Sequence, residues 1–419
     1  MEDRGGRLEV LDGLRGLAIA SVVWYHVWQI SWLTASVNAF GREWSLQFVP
    51  ETGFLGVELF FFLSGFVIFW PYARAALAGA REPSLRHFAV RRALKIVPSY
   101  YFAIALLLVL GAQHYPSFGA GARDVALHAL FVHNWFADTY GSIDGVMWSL
   151  GVEVQFYLVF PLVAWAFRRA PLLVFAAMCA LAVGWRVAAV QWHWEIVGQL
   201  QGQLPATLDV FACGMLAAWL TVLLRARHPA LAARRALWTV LSLLAAGAVI
   251  ALLQDAFRIR YDDGSFAHWK ALHVFPLALG YAAFAVAALH ALPAWRATIA
   301  NPVLVFLAAI SYNLYLWHQV IARAFVAWGW PAHAGSDAHD DPGWKVLFTI
   351  VSMGSALLVA TVLTYGLERP LLRWRPRRAG RPAEHERPPA PPPVPPPPVP
   401  QPAHDNGVAA LYGEADVRL

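Results

Sequence analysis

Arg15 and His26 sit eleven positions apart in one apolar stretch, Leu11-Asp12-Gly13-Leu14-Arg15 running on to Trp24-Tyr25-His26. On a helix this is about three turns. Both side chains then leave one face, separated by ~16 Å along the axis. A guanidinium fork suits phosphate or carboxylate, and an imidazole moves protons near neutral pH. Ionisable groups inside an apolar span are functional candidates by default. The bland alternative is that Arg15 reaches back to lipid headgroups while His26 is a hydrogen-bonded core residue. More such groups follow: Glu58 and Ser64 in GVELFFFLSGF, Trp148, Ser149, Glu153 and Gln155 in WSLGVEVQFY, Asp209, and Tyr312, Asn313, Trp317 and His318 in ISYNLYLWH. Ser64-Gly65 also reads as a small-residue packing site. Arg91 and Arg92 precede the third apolar stretch and Lys95 lies at its start, with Arg92 and Lys95 on one helical face. They read as a topology signal and as a phosphate site.

The elements that position these groups are membrane helices. The 419-residue chain is 59% hydrophobic and 14% charged. Soluble domains run near 45–50% and about 25%, so a soluble enzyme is excluded, as is disorder over most of the length. Cys179 and Cys213 are the only cysteines, which excludes a disulfide scaffold. Ten stretches are long and apolar enough to cross ~30 Å of hydrocarbon: 13–31, 53–72, 94–112, 146–167, 171–190, 205–224, 236–254, 271–291, 302–325 and 346–367. A shorter one, 124–136 with His128 and His133, reads as re-entrant or surface-lying on the outer side. Pro171, Pro205 and Pro302 fit first helical turns. The expected fold is an all-α polytopic membrane protein with about ten transmembrane helices.

The net charge of +6 is a topology signal here rather than a sign of nucleic acid. With ten spans and both termini cytoplasmic, most Lys and Arg residues fall inside. Arg42, Arg123, Arg258, Arg260, Lys270 and Lys345 fall outside, and Arg15, Arg186 and Arg323 within spans. The first stretch is too long and too polar for a signal peptide. The paucity of lysine (Lys95, Lys270 and Lys345 alone) points to a GC-rich bacterial genome. Residues 1–372 form the membrane domain. Residues 373–419 read as a disordered, Arg- and Pro-rich cytoplasmic tail, a solvated linker or a docking segment for a partner that binds polyproline helices.

The stretches LDGLRGLAIASVVWYH, GVELFFFLSGFVIF, RRALKIVPSYY, WSLGVEVQFYLVFPL, ISYNLYLWH and LERP occur in this order over residues 8–372. They resemble the successive motifs of the acyltransferase-3 family of membrane O-acyltransferases. The resemblance implies a multi-pass enzyme of the inner membrane with no permanently bound cofactor and no metal. Acyl-CoA, usually acetyl-CoA, is its co-substrate. The acyl group goes to a hydroxyl of a carbohydrate, glycolipid, cell-wall polymer or macrolide-type metabolite. The lipid bilayer and this acceptor are its partners. His26 matches the family's expected catalytic residue and Arg15 its companion. Arg92 and Lys95 match its basic pair, whose second position is more usually Arg. Glu58 stands where Asp is frequent, Glu153 matches the acid of the Trp-Ser motif, and Thr207 replaces an Arg often found two residues before Asp209. The chain resembles stand-alone members that lack an esterase-like domain.

On this reading His26 takes the hydroxyl proton as general base and Glu153 orients it. Ser64, Tyr312, Asn313 and Trp317 are unranked oxyanion donors. Arg15, Arg92 and Lys95, with Arg91, hold the coenzyme phosphates. An acyl-histidine intermediate is the alternative route, and His318 is either a second acid/base or a packing residue. Acceptor choice is expected in 32–52, 113–145, 255–270 and 328–344. A transporter or flippase would also have ten spans, but residues 1–190 and 191–372 show no repeat. A non-catalytic acyl-binding regulator would be expected to have lost the Arg15 and His26 pair.

Overall fold

Apolar runs of two dozen residues, started by a cap or a proline, account for the elements of the computed structural model. It describes residues 8–373 apart from Ala112 and Ala334. The long helices are α1 (Glu9–Ser31), α2 (Gly56–Ala78), α3 (Leu85–Val109), α4 (Met147–Arg169), α5 (Pro171–Trp192), α6 (Leu204–Arg227), α7 (Arg235–Ile259), α8 (Asp263–His290), α9 (Pro302–Ala327) and α10 (Pro342–Leu363). Pro171, Pro205, Pro302 and Pro342 all lie in first turns, where no backbone donor is lost. Asn301 caps α9 by accepting from Leu304 N at 3.0 Å. Asp341 caps α10 through Gly343 N and Trp344 N.

Among the described residues, nine helical segments are long and apolar enough to span a membrane. They correspond to nine of the ten expected spans. The remaining one, α1, has the length, 23 residues, but Arg15, His26 and their polar neighbours dilute its hydropathy. Its setting explains how that composition is tolerated: α1 packs along α9 and against α2 and α10, so protein rather than lipid receives much of its surface.

Glycine permits the tightest of these contacts. A side chain at Gly13 or Gly16 would drive into the carbonyls of Ile299 and Leu304 at about the start of α9, at 2.1 and 2.0 Å. The α2–α6 crossing is built the same way, with Gly65 against Phe211 O and Gly214 against Phe62 O. Small residues let helix backbones approach this closely in a membrane, so Gly65 is the packing residue its context implied.

Several boundaries differ from expectation. The third helix begins at Leu85, capped by Ser84, ahead of the expected start at 94, so Arg91 and Arg92 ride on the same helix as Lys95. The eighth begins at Asp263, which places Lys270 on a helix. The segment containing His128 and His133 is a twelve-residue helix, Phe118–Ala129, followed by a short 3-10 turn at His133–Trp135. After α10 the chain continues in a π-turn, Thr364–Glu368. The described residues form one strand pair, Ser36–Ala39 with Arg42–Ser45, in an exposed hairpin. The expectations for the tail at 374–419 and for residues 1–7 lie outside the described residues.

Candidate active site

α1, α2, α3, α4 and α9 line a partly open pocket with a cavity volume of about 80 Å3. α1 contributes Arg15, and α3 contributes Arg92 and Lys95. Ser64 comes from α2, Ser149 and Glu153 from α4, Tyr312 and Tyr315 from α9. Seven of the residues singled out in the sequence therefore share one cavity. Arg91 is exposed, on the same helix but off this lining.

The pocket has a charged end and a hydroxyl-lined end. Glu153 accepts from Ser64 Oγ at 2.6 Å and from the Tyr157 hydroxyl. The Arg92 guanidinium lies 5.5 Å from the centre of the Tyr157 ring, a cation–π contact. Lys95 pairs with Glu368 and lies 5.4 Å from the Tyr312 ring centre. Tyr312 in turn donates to Ile96 O at 2.7 Å. Asn313 donates to Thr364 Oγ1 and Glu368 Oε2, at 3.0 and 2.9 Å. Asn313 and Tyr312 are thus committed to protein partners, while Trp317 Nε1 is buried without one. At the far end the Ser149 and Tyr315 hydroxyls meet at 2.6 Å, and each reaches Val146 O at 3.1 Å.

His26 stands beyond that hydroxyl pair. The Tyr315 ring centre is 5.9 Å from that of His318, and His318 Nε2 is 2.9 Å from His26 Nδ1. His318 is 0% exposed, whereas His26 is half-buried. The side chain hydrogen-bonded to His26 is that of His318; Glu153, expected to orient His26, bonds Ser64 and Tyr157 instead. Next to the dyad, Gln319 and Arg323 border Gly145, and Asp144 is 4% exposed with Oδ2 unpartnered. Burial pushes the Asp144 carboxyl up to about 7, against the opposing pull of Arg323 and of the Val146 and Gly145 amides.

Glu58, Asp209 and Trp148 fall elsewhere. Asp209 receives a two-pronged contact from Arg186 of α5, at 2.9 and 2.6 Å. Their exposures are 0% and 1%. Thr207 had left a charge partner for Asp209 unassigned, and α5 supplies it. The charges acting on Glu58 are those of Lys270, Arg186 and Asp209, and one of its oxygens is buried without a partner. Trp148 stacks on Tyr140 and meets the edge of Phe61. A further pair, His128 and His133, stacks at 3.8 Å; burial, with His128 beside it, holds His133 down to about 3. Among the described residues no three His, Cys, Asp or Glu side chains are grouped to hold a metal.

The sequence missed Glu368, Arg186, Asp144 and Arg323 as site residues. Glu368 lies in the LERP motif, and Arg186 and Arg323 were visible as charges within spans. Asp144 carried no signal.

An acyltransferase domain matches residues 8–366. Nodulation protein 10 of Rhizobium leguminosarum bv. viciae is 27% identical over 353 residues, covering 79% of this chain and 88% of that protein. Peptidoglycan O-acetyltransferase OatA of Listeria monocytogenes is 28% identical over 162 residues, 36% of this chain and 23% of that protein. O-acetyltransferase OatA of Staphylococcus aureus is 30% identical over 163 residues, 36% of this chain and 24% of that protein. The chain thus aligns with about a quarter of the length of either OatA. No solved structure matches. With nearly all of its described helices inside the matched region and seven of the motif residues lining one cavity, the chain is a multi-pass membrane protein that belongs to the acyltransferase-domain family.

Proposed function

We propose that this protein transfers an acyl group, acetyl in the first instance, from an acyl-CoA thioester to a hydroxyl of a carbohydrate, glycolipid, cell-wall polymer or glycosylated metabolite. The observation that carries this reading is the placement of Arg15, Arg92 and Lys95 around one pocket with a histidine dyad just beyond its hydroxyl-lined end. Arg15 and Arg92 suit the coenzyme phosphates. The positive-inside rule puts this charged end in the cytoplasm of the inner membrane, where coenzyme A is found. Arg15 and His26, ~16 Å apart along α1, then mark the two ends of an extended pantetheine arm.

The chemistry follows from the dyad. His26 takes the acceptor hydroxyl proton while the oxygen attacks the thioester carbonyl. The C–S bond breaks, and the coenzyme leaves as thiolate, which takes the proton back from the imidazolium. The Ser149 and Tyr315 hydroxyls, each bonded to Val146 O in this structure, would have to turn from it to donate to the developing oxyanion, where fixed donors are most effective. The sequence similarity to proteins named O-acetyltransferases supports acetyl transfer to oxygen. The test is thiol release from acetyl-CoA by protein reconstituted in vesicles, together with mass spectrometry of surface glycans in a deletion strain. Thiol release at the protein-free rate with every glycan fraction, and unchanged acylation in the deletion strain, would reject the reading.

A further inference from the structure

We infer that His318 is a positioning residue: it accepts a hydrogen bond from His26 Nδ1–H and thereby keeps His26 Nε2 as the open base. The inference deepens the proposed reaction and rests on His26 being its base. The proton positions themselves can be tested without any turnover.

Three contacts decide where the protons sit. His318 Nδ1 is 3.0 Å from Leu314 O, His26 Nδ1 is 3.1 Å from Val22 O, and His318 Nε2 is 2.9 Å from His26 Nδ1. A carbonyl oxygen only accepts, and a neutral imidazole has one N–H and one lone pair. With the proton on Nδ1 of both rings, His318 donates to Leu314 O. His26 then donates to Val22 O and to the His318 Nε2 lone pair. Every contact is attractive. With the protons on Nε2, the single bond from His318 to His26 survives, but two lone pairs face two carbonyls. A doubly protonated His318 would satisfy Leu314 O and still leave the His26 lone pair facing Val22 O. The two carbonyls therefore select the same arrangement independently.

The contact to the carbonyl four residues back is a local habit of helical histidines in this chain. His128, His268 and His290 make it too, to Asp124 O, Gly264 O and Val286 O. What distinguishes His26 and His318 is that this local contact on each ring leaves one nitrogen–nitrogen contact with a defined direction. Gly13 and Gly16 allow α1 and α9 to lie close enough for it to form.

The arrangement does the work of the third group in a catalytic triad, which fixes the tautomer and orientation of the base. An ionised carboxylate in that place would be costly in a membrane interior unless paired. A neutral imidazole accepts the same hydrogen bond without the charge. When His26 Nε2 takes the acceptor proton, the charge formed is shared with the His318 lone pair. When the thiolate takes that proton back, both rings return to their starting forms. His318 keeps its own proton on Leu314 O throughout.

The test is magic-angle-spinning NMR of the full chain in lipid vesicles, with 15N-labelled histidine and resonances assigned by loss in His26→Ala. The expected result is a protonated His26 Nδ1, a bare His26 Nε2, and scalar coupling between His26 Nδ1 and His318 Nε2 through the shared proton. In His318→Ala the Nδ1 proton should move upfield, and His318→Asp should restore or exceed the wild-type downfield position. A proton on His26 Nε2 in the wild type would overturn the inference. So would a His26 Nδ1 proton unmoved in a folded His318→Ala.

Discussion

The two ends of the cavity region are built on opposite principles. The charged end gathers Arg15, Arg92, Lys95, Glu153 and Glu368: Arg92 lies against the Tyr157 ring, Lys95 pairs with Glu368, and Glu153 accepts from Ser64 and Tyr157. The histidine end holds two imidazoles, two hydroxyls and backbone carbonyls, with Asp144 and Arg323 at its margin. Long cationic side chains on aromatic rings make a surface that grips an anion, and small rearrangements there change affinity. A dyad fixed by carbonyls from two helices has nothing to grip with, but it defines where one proton resides. On the proposed reading, binding and proton transfer fall to different residues, about three helical turns apart on α1.

The separation predicts a split in kinetic constants. His26→Ala should lower turnover by about a hundredfold or more, the scale of a lost general base, while leaving the KM for acetyl-CoA unchanged. A shifted KM with intact turnover would merge the two ends. His318→Ala should fall by a similar or smaller factor in turnover, again at constant donor KM. Arg92→Ala should do the reverse: the KM for acetyl-CoA rises about ten- to hundredfold, the equivalent of one charge-assisted hydrogen bond of about 1.5–3 kcal/mol, with turnover at saturation preserved. Arg92→Lys should recover part of the loss, because a point charge replaces a fork.

Gly16→Leu probes the packing that aligns both ends. It should lower the thermal midpoint and turnover together, since backbone atoms occupy the space its side chain would need.

A separate effect, read in stability rather than in turnover, is a pH dependence at the histidine end. Asp144 is raised to about 7 in the folded chain, against about 3.9 when free. Between these values the folded chain keeps a proton that the unfolded chain has lost, so stability falls as pH climbs through that window. Thermal midpoints of Asp144→Asn and wild type should coincide near pH 4, and the variant should be the more stable above pH 7. A constant difference across that range would place the Asp144 carboxyl in the ordinary range.

Much of the charged end was legible in the sequence because charge is conspicuous in an apolar chain. Arg15, Arg92, Lys95 and Glu153 announced themselves by occurring inside or beside spans, and the structure gathers them. The pairings were not legible. His26 and His318 are 292 positions apart, and no local pattern says that α1 lies against α9; the glycines that permit it read equally well as generic small residues. Glu368 reaches Lys95 and Asn313 from a π-turn, a departure from helical period that hydropathy does not register. Arg186 pairs with Asp209 from a neighbouring helix, a partner that the residues flanking Asp209 in sequence did not reveal. The span count came from composition alone, and its weakest member, α1, is the helix that carries both ends of the site.

Equilibrium binding of acetyl-CoA to the His26→Ala and Arg92→Ala proteins in vesicles open to the charged end tests the separation most directly. The account predicts wild-type affinity for His26→Ala and at least tenfold weaker binding for Arg92→Ala. Lost binding in a folded His26→Ala, or full affinity in Arg92→Ala, would contradict it.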